Sequence, residues 1–426
     1  MFNGRDLDGW KTAGGTAPFT VADGSIVGTT VTGSPNSFLV LDRDLGDFIL
    51  ECEVLQEDGR SNSGVQFRSH IVTEPDVRMQ GYQFEIDPSE RGWTGGIYDE
   101  ARRGWLYPVT LNPRARSAYK FGRWNRLRIE AIGNSLRTWV NGVPVAHVID
   151  DVEHSGKIAL QIHSSEVARQ SVRWRDIRIQ TGDLVPSPSG GLFVRNMIPN
   201  HLSEAERAAG WTLAWDGATT TGWRGAGKEE FPSEGWKVEN GEWIVPESGG
   251  HESENAGDIV TTQRYAAFEF QLEFRLAPGA NSGIKYFVSE AYDTEGRSAI
   301  GLEYQLLDDA LHPDAQSGAA RNRRLAALYD LIPAEPAKRG RGLIPVTGNW
   351  EHARIVATAD GKVSHWLNGI EVVAYDRRSP LFAALVEGSK YAKYPGFGTA
   401  DDGHILLQDH GNKVQFRSIK IRPLHN

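Results

Sequence analysis

Histidine, glutamine and carboxylate side chains sit on alternate positions of short apolar runs in this chain, and they do so twice. In Gly403-His404-Ile405-Leu406-Leu407-Gln408-Asp409-His410-Gly411-Asn412, an apolar stretch ends in polar residues between glycines. Read as a strand, successive side chains face opposite ways, so Leu406, Gln408 and His410 share one face. Lys157 to His163 echoes the pattern: Ile158, Leu160 and Ile162 form a core face, and Ala159, Gln161 and His163 form the other. A histidine so placed could act as a general base, because its unperturbed pKa lies near neutrality. Beside Glu or Asp it could instead ligate a divalent metal such as Zn or Mn, with His410, Glu303, His163 and Glu85 as candidate ligands.

Further polar groups fall on the same kind of face. Tyr82-Gln83-Phe84-Glu85-Ile86-Asp87 alternates strictly, which sets Gln83, Glu85 and Asp87 opposite the core side. Leu302-Glu303-Tyr304-Gln305-Leu306 does the same with acid and amide exchanged. Gln66, Arg68 and, in the later stretch, Lys285 follow an Asn-Ser-Gly turn and are candidate hydrogen-bond donors to a ligand. Tyr98 and Tyr329, each followed by Asp, are candidates to orient a sugar or donate a proton. Trp93, Trp105 and Tyr107 lie in a Gly- and Arg-rich loop suited to stacking on sugars. The loop from Asp309 to Gly342 carries Arg321, Arg323, Arg324, Lys338, Arg339 and Arg341, either a cationic lid or a solvated loop. The remaining histidines, including His70, His312 and His352, have no matched partner and read as surface. No phosphate-cradling loop, nucleophile elbow or HExxH helix is present.

The elements that must position these groups come from a repeat. Phe2-Asn3-Gly4 with Gly9-Trp10 recurs as Trp215-Asp216-Gly217 with Gly222-Trp223, and Asn62-Ser63-Gly64 recurs as Asn281-Ser282-Gly283. Tyr98-Asp99 recurs as Tyr329-Asp330, and Trp139-Val140-Asn141-Gly142 as Trp366-Leu367-Asn368-Gly369. The order is kept and the spacing grows, so the second copy has longer loops, the largest around Arg377–Asp402. Each copy reads as short strands separated by turn signals, with the Asn-Gly pairs as hairpin turns. That implies an all-β chain of two tandem jelly-roll β-sandwiches, over residues 1–182 and 211–426. Pro186 to Gly191 has linker composition, and Ser203-Glu204-Ala205-Glu206 fits a capping box that opens a short helix, the one clear helix start.

Composition narrows the function classes. The 426 residues exceed one ordinary core, and 13 Trp, 16 Phe and 47 Gly suit many short strands. A net charge of −9 with scattered Lys and Arg argues against a nucleic-acid partner. No apolar run approaches membrane-spanning length. The lone Cys52 reads as a small buried hydrophobe. The chain opens directly inside a domain, which is compatible with a trimmed export signal; a periplasmic or extracellular location is the expectation, with a cytoplasmic one left open.

Glu85-Ile86-Asp87-Pro88-Ser89-Glu90 is similar to the ExDxxE strand of retaining β-glucanases, in which two Glu act as nucleophile and acid/base. A broader resemblance covers both copies. The motifs above, with Leu407-Gln408-Asp409-His410-Gly411 and Phe416-Arg417-Ser418-Ile419, resemble the 3-keto-disaccharide hydrolase family. The resemblance implies a concanavalin A-like sandwich that cleaves glycosides oxidised at C3. The base would be His410, with His163 as its counterpart. Glu303 (Glu85 in the first copy) would orient or serve as second acid/base. Tyr329 and Lys285, or a divalent metal, would stabilise an enolate. Gln408, Gln305, Gln161, Gln83, Asp87, Tyr98, Arg68 and Trp105 would contact an oligosaccharide or glycoside. The first copy departs from the family pattern at Ile162 and in the Gln83/Glu85 order. The reading from another class is a lectin-like binding protein using the same faces.

Overall fold

The computed structural model describes residues 1–56, 61–188, 190–249, 257–290, 299–334, 336–338 and 347–424. The chain forms two compact units, Met1–Ile198 and Pro199–Asn426. Residues 183–210 are divided between them. Arg195–Asn196 pairs in parallel with Val148 and Ile149 of the first unit. The helix Glu204–Ala208 opens the second, and its capping box forms as the sequence predicts, with Ser203 and Glu206 bonded reciprocally.

Each unit is a concanavalin A-like jelly-roll sandwich of two sheets. In the first, a seven-stranded sheet runs in the order Trp10–Gly14, Ser37–Leu41, Lys157–Ile162, Ser63–Val72, Arg78–Ile86, Ile97–Glu100 and Gly104–Tyr107. An eight-stranded sheet with Phe48–Leu55 near its centre packs against it. Val65, Phe84, Ile158 and Leu160 of one sheet meet Leu50, Val54, Ile129 and Trp174 of the other in a single core. Each such fully buried large apolar side chain stabilises the fold by about 1.5–3 kcal/mol. Cys52 belongs to this core, where burial pushes its thiol up to about 12.

The second unit repeats the plan. Its five-stranded sheet orders Trp223–Gly225, Ile259–Thr261, His404–Leu407, Asn281–Ser289 and Ile300–Leu307. Tyr286 of that sheet meets Phe268 and His365 of the larger one, with Tyr286 Oη 2.7 Å from His365 Nε2. Asn141 and Gly142, and likewise Asn368 and Gly369, all take positive φ, as a type I′ hairpin turn requires.

Two expectations fail here. The Arg377–Asp402 insertion holds a second capped helix, Pro380–Glu387, in which Ser379 Oγ accepts the Phe382 N–H at 3.1 Å. Arg68 does not face a ligand. A bulge between Phe67 and His70 gives Arg68 a φ of 45°, which breaks the alternation. Its side chain is fully buried and donates to the carbonyls of Gly46, Gly133 and Glu153 and to Asp47.

Arg68→Ala is therefore expected to destabilise the protein by about 3 kcal/mol, since it strands several acceptors. Arg68→Lys recovers little, for want of the planar fork. Urea unfolding checks both, and a stability unchanged in Arg68→Ala would refute the structural role.

Candidate functional site

In the second unit, strand register builds a polar cleft on the outer face of the five-stranded sheet. Gly283 lies opposite Gln305, and its carbonyl accepts the Gln408 N–H at 3.0 Å. Lys285 lies opposite both Glu303 and Leu406. Ile284, Tyr286, Tyr304, Leu306, Ile405 and Leu407 point the other way and are fully buried. Gly283 leaves the floor open: a Cβ there would sit 2.3 Å from Glu303 Oε1. The resulting cavity of about 200 Å³ is lined by Lys285, Glu303, Gln305, Tyr329, Gln408 and His410. All six were singled out in the sequence. The strand itself ends at Leu407, so His410 reaches the cleft from the turn beyond it.

Charge pairing holds these groups in place. Lys285 Nζ lies 3.4 Å from Asp258 Oδ2, and Asp258 Oδ1 accepts the Asp409 N–H at 2.9 Å. The Asp409 carboxylate accepts the N–H groups of Gly411 at 3.0 Å and Gly257 at 3.2 Å. Asp409 thus fixes the turn between Gln408 and His410 and takes no part in the cleft wall. Gln305 Nε2 donates to Asn281 at 3.0 Å, while Gln305 Oε1 and His410 Nδ1 have no partner among the described residues. Tyr329 Oη donates to Asp314 at 2.8 Å. Burial, and then that bond, raise its pKa far above the usual tyrosine value. Tyr329 therefore presents a hydroxyl oxygen that accepts, not a ready proton.

The first unit carries the same positions with different chemistry. Register aligns Gly64 with Gly283, Gln66 with Lys285, Gln83 with Glu303 and Glu85 with Gln305. Ser69 donates to Gln66, Gln66 to Gln83 at 2.6 Å, and Gln83 to Glu85 at 3.0 Å, while Asn62 caps Glu85 from the other side. The Asn bond reverses between copies because the acid accepts from Asn62 and the amide donates to Asn281. Burial raises Glu85 above its usual value against the two bonds that lower it. Glu100, on the neighbouring strand, is raised by burial and then by Glu85. His163 Nδ1 is 2.8 Å from the Ser164 carbonyl, so that nitrogen carries the proton. Gln161 is buried with both amide atoms unpartnered among the described residues. Tyr98 packs on Trp105, which packs on Trp93, and the Arg91 guanidinium lies 4.3 Å from the Trp93 ring.

Several expectations are corrected. Asp87 is held in its loop by Arg91 at 2.7 Å and the Ser89 N–H at 3.0 Å, and Glu90 is exposed beyond the strand's end at Ile86. The β-glucanase pattern therefore has no second catalytic carboxylate. The histidines outside the pattern are not all surface: His147, His365 and His404 are buried, and burial lowers His365 to about 4. His312 lies edge-on to His410 at 6.4 Å between ring centres and accepts the Asp314 N–H on Nδ1. Three cations of the 309–342 loop are internally spent, Arg323 on Asp314 and Asp330, Arg324 on the Ala315 carbonyl and Lys338 on Asp309, while Arg321 is exposed. Arg339 and Arg341 lie outside the described residues. Among the described residues no group of three or more His, Cys, Asp or Glu side chains converges as a metal site, which does not fit the suggested divalent ion. Missed by the sequence reading were Asp258, whose only signal is its place before Ile259, and the Lys390-Tyr391-Ala392-Lys393-Tyr394 segment. Its repeated Lys-Tyr pairs were a legible signal, and Lys390, Tyr391, Lys393 and Tyr394 all line the cavity.

A concave, strongly polar cleft of this size suits a small polar ligand. Comparison with known proteins specifies the kind. The profile of the 3-keto-α-glucoside-1,2-lyase-like domain matches residues 1–180 and again 210–422. A 3-keto-disaccharide hydrolase of Bacteroides thetaiotaomicron is 35% identical over 237 residues, 51% of this chain and 79% of that one. A solved Parabacteroides distasonis structure, provisionally named a glycosyl hydrolase, is 27% identical with a TM-score of 0.45, covering 54% of this chain and all of that one. A carbohydrate-binding module from Bacillus subtilis is 18% identical with a TM-score of 0.30, covering 40% of this chain and 95% of that module. The chain belongs to the 3-keto-α-glucoside-1,2-lyase-like domain family, and it is a carbohydrate-active, hydrolase-like enzyme. Among the described residues no helix is long and apolar enough to cross a membrane.

The raised carboxyls of the first unit give a pH prediction. A group whose folded pKa lies above its unfolded value of about 4.5 contributes stability at low pH and loses it as pH rises through that window. The stability of Glu85→Gln relative to the native chain is therefore expected to improve from about pH 4.5 toward neutrality. Calorimetric melts across that range check it, and a difference independent of pH would contradict the assignment.

Proposed function

We propose that the second unit cleaves 3-keto-glycosides by elimination, with His410 as the base. The carrying observation is the convergence of His410, Glu303 and Lys285 on one cleft of about a single sugar's size. A 3-keto group acidifies the proton on C2. His410 takes that proton, and the C–H electron pair becomes the enolate of C3. The enolate collapses to restore the ketone, a C1–C2 double bond forms, and the C1–O bond breaks, releasing the aglycone as an alcohol once protonated. Water then adds at C1 and a proton at C2, giving 3-ketoglucose.

The parts match these demands. His410 lines the cleft, and its ring is held by the turn that Asp409 ties. The Lys285 ammonium supplies the positive charge that a developing enolate needs in a desolvated cleft. Glu303 protonates the leaving oxygen or orients it, and Gln305, Gln408 and the Tyr329 oxygen position hydroxyls.

For the first unit a holding role is favoured by one observation. Gln66 stands in place of Lys285 and Gln83 in place of Glu303, so these two positions supply neither a cation nor an acid. The Tyr98–Trp105 pair suits stacking on a sugar ring. In this reading the boundaries are a holding domain over 1–182 and a cleaving domain over 211–426, in a protein of the periplasm or cell exterior.

Incubation with a 3-keto-glucoside and its unoxidised parent, followed by mass spectrometry, is expected to release 3-ketoglucose or the keto-glycal from the keto substrate alone. His410→Ala is expected to lower turnover at least ~100-fold with the fold intact, whereas His163→Ala retains most of it. Full activity in His410→Ala, or release from the plain glucoside, would sink the proposal.

A further inference from the structure

Behind the cleft, on the buried side of the five-stranded sheet, a single histidine joins three of the elements that carry cleft groups. His365 lies on the strand Lys362–Leu367 of the larger sheet and is fully buried. Its Nε2 is 2.7 Å from Tyr286 Oη, and Tyr286 follows Lys285 on the strand Asn281–Ser289. Its ring packs on Tyr304, the residue between Glu303 and Gln305, at 4.8 Å between ring centres. Its Nδ1 is 3.0 Å from the carbonyl oxygen of Ala326, three residues before Tyr329. Tyr286 Oη is also 2.7 Å from Tyr375 Oη, and Tyr375 stacks on Phe382 of the added Arg377–Asp402 segment.

The direction of these bonds is fixed. A carbonyl only accepts, so His365 Nδ1 carries the ring proton and Nε2 accepts from the Tyr286 hydroxyl. Tyr286 Oη in turn accepts from Tyr375. Burial keeps the imidazole neutral, as this arrangement requires. What it holds is a turn that needs holding. Ala326 has a φ of 67°, a conformation that an alanine keeps only where its surroundings enforce it. The turn lies along the strand that bears the cleft's acid. Ala326 N–H donates to the Gln305 carbonyl at 2.8 Å, and Tyr329 N–H to the Glu303 carbonyl at 3.0 Å. In the first unit Thr138 stands at the position of His365 and donates to the carbonyl of Gly95, the counterpart of Ala326. Phe67 there replaces Tyr286 and has no hydroxyl to extend the row.

We infer that His365 is a positioning residue for the second unit's cleft: through the Ala326 carbonyl and the Tyr286 hydroxyl it sets where Tyr329, Glu303 and Lys285 stand relative to one another. The inference rests on the reading of this cleft as the reaction site. The imidazole lies on the far side of the sheet from the cleft and touches no substrate, so it acts on geometry alone. Geometry is where rate is lost when a supporting contact goes, because reacting groups must meet in near-attack alignment.

The test uses the full chain and a 3-keto-glucoside. His365→Phe keeps a ring in place and removes both hydrogen bonds. It is expected to lower kcat by roughly 10- to 100-fold while KM changes far less. A double-mutant cycle with Tyr329→Phe separates positioning from a general weakening of the fold. Tyr329→Phe is expected to cost several-fold in the native chain and little in His365→Phe, where the hydroxyl is already displaced. Hydrogen exchange read by mass spectrometry gives a second measure that needs no turnover. In His365→Phe, exchange over residues 324–330 is expected to quicken by roughly 10-fold or more while the strand Phe268–Leu276 keeps its native protection. Additive losses in the cycle overturn the inference, as does exchange over 324–330 that is unchanged or quickens equally in both segments. Should no keto substrate turn over, the reaction reading falls and the exchange measurement alone decides the positioning role. Should His365→Phe fail to fold, Tyr286→Phe takes its place in both measurements, since it removes one bond only.

Discussion

A buried set of three charges, Asp258, Lys285 and Asp409, is the interaction on which the second unit's cleft depends. A lone ammonium or carboxylate at such depth would cost several kcal/mol, so each member is tolerable only because the others are present. Asp258 joins the other two, with one oxygen facing the Lys285 ammonium and the other accepting the Asp409 N–H. Asp409 in turn satisfies two glycine N–H groups that the end of the strand leaves open. The outcome is a cation fixed in the cleft floor and a turn that delivers Gln408 and His410 to its wall.

The first unit shows what happens when that set is absent. Register places Phe38, Gln66 and Ile162 where the second unit has Asp258, Lys285 and Asp409. All three charges are missing together, as the cost of an uncompensated buried charge demands. Phe38 joins Val40, Met79 and Ala159 in a small apolar cluster on the same outer face. The floor glycine survives in both copies, since a Cβ at Gly64 would meet the Gln83 side chain as one at Gly283 would meet Glu303. Geometry was thus retained while electrostatics diverged.

The remaining difference is the added segment of the second unit. A loop of that length would ordinarily be solvated, but Phe382, Tyr391 and Phe397 give it an apolar footing.

Much of this was legible along the chain because strand alternation is local. Period-two patterning put Gln83 with Glu85, Glu303 with Gln305, and Gln408 with His410 on single faces, and the Asn-Gly pairs marked the hairpins. The repeat identified which residues correspond. The direction of Arg68 was not legible, because one bulge with positive φ reverses the alternation without altering the pattern that suggests it. Nor was the role of Asp409, whose partners Gly257 and Asp258 lie some 150 residues away in sequence. The commitment of the Tyr329 proton to Asp314, and the place of Lys390 and Lys393 at the cleft, likewise depend on contacts between segments. Sequence by itself determined the sandwich, the duplication and the set of polar residues facing outward. Tertiary structure alone decided which of them carry charge into a shared cavity, because pairing buried charges is a property of space and not of spacing.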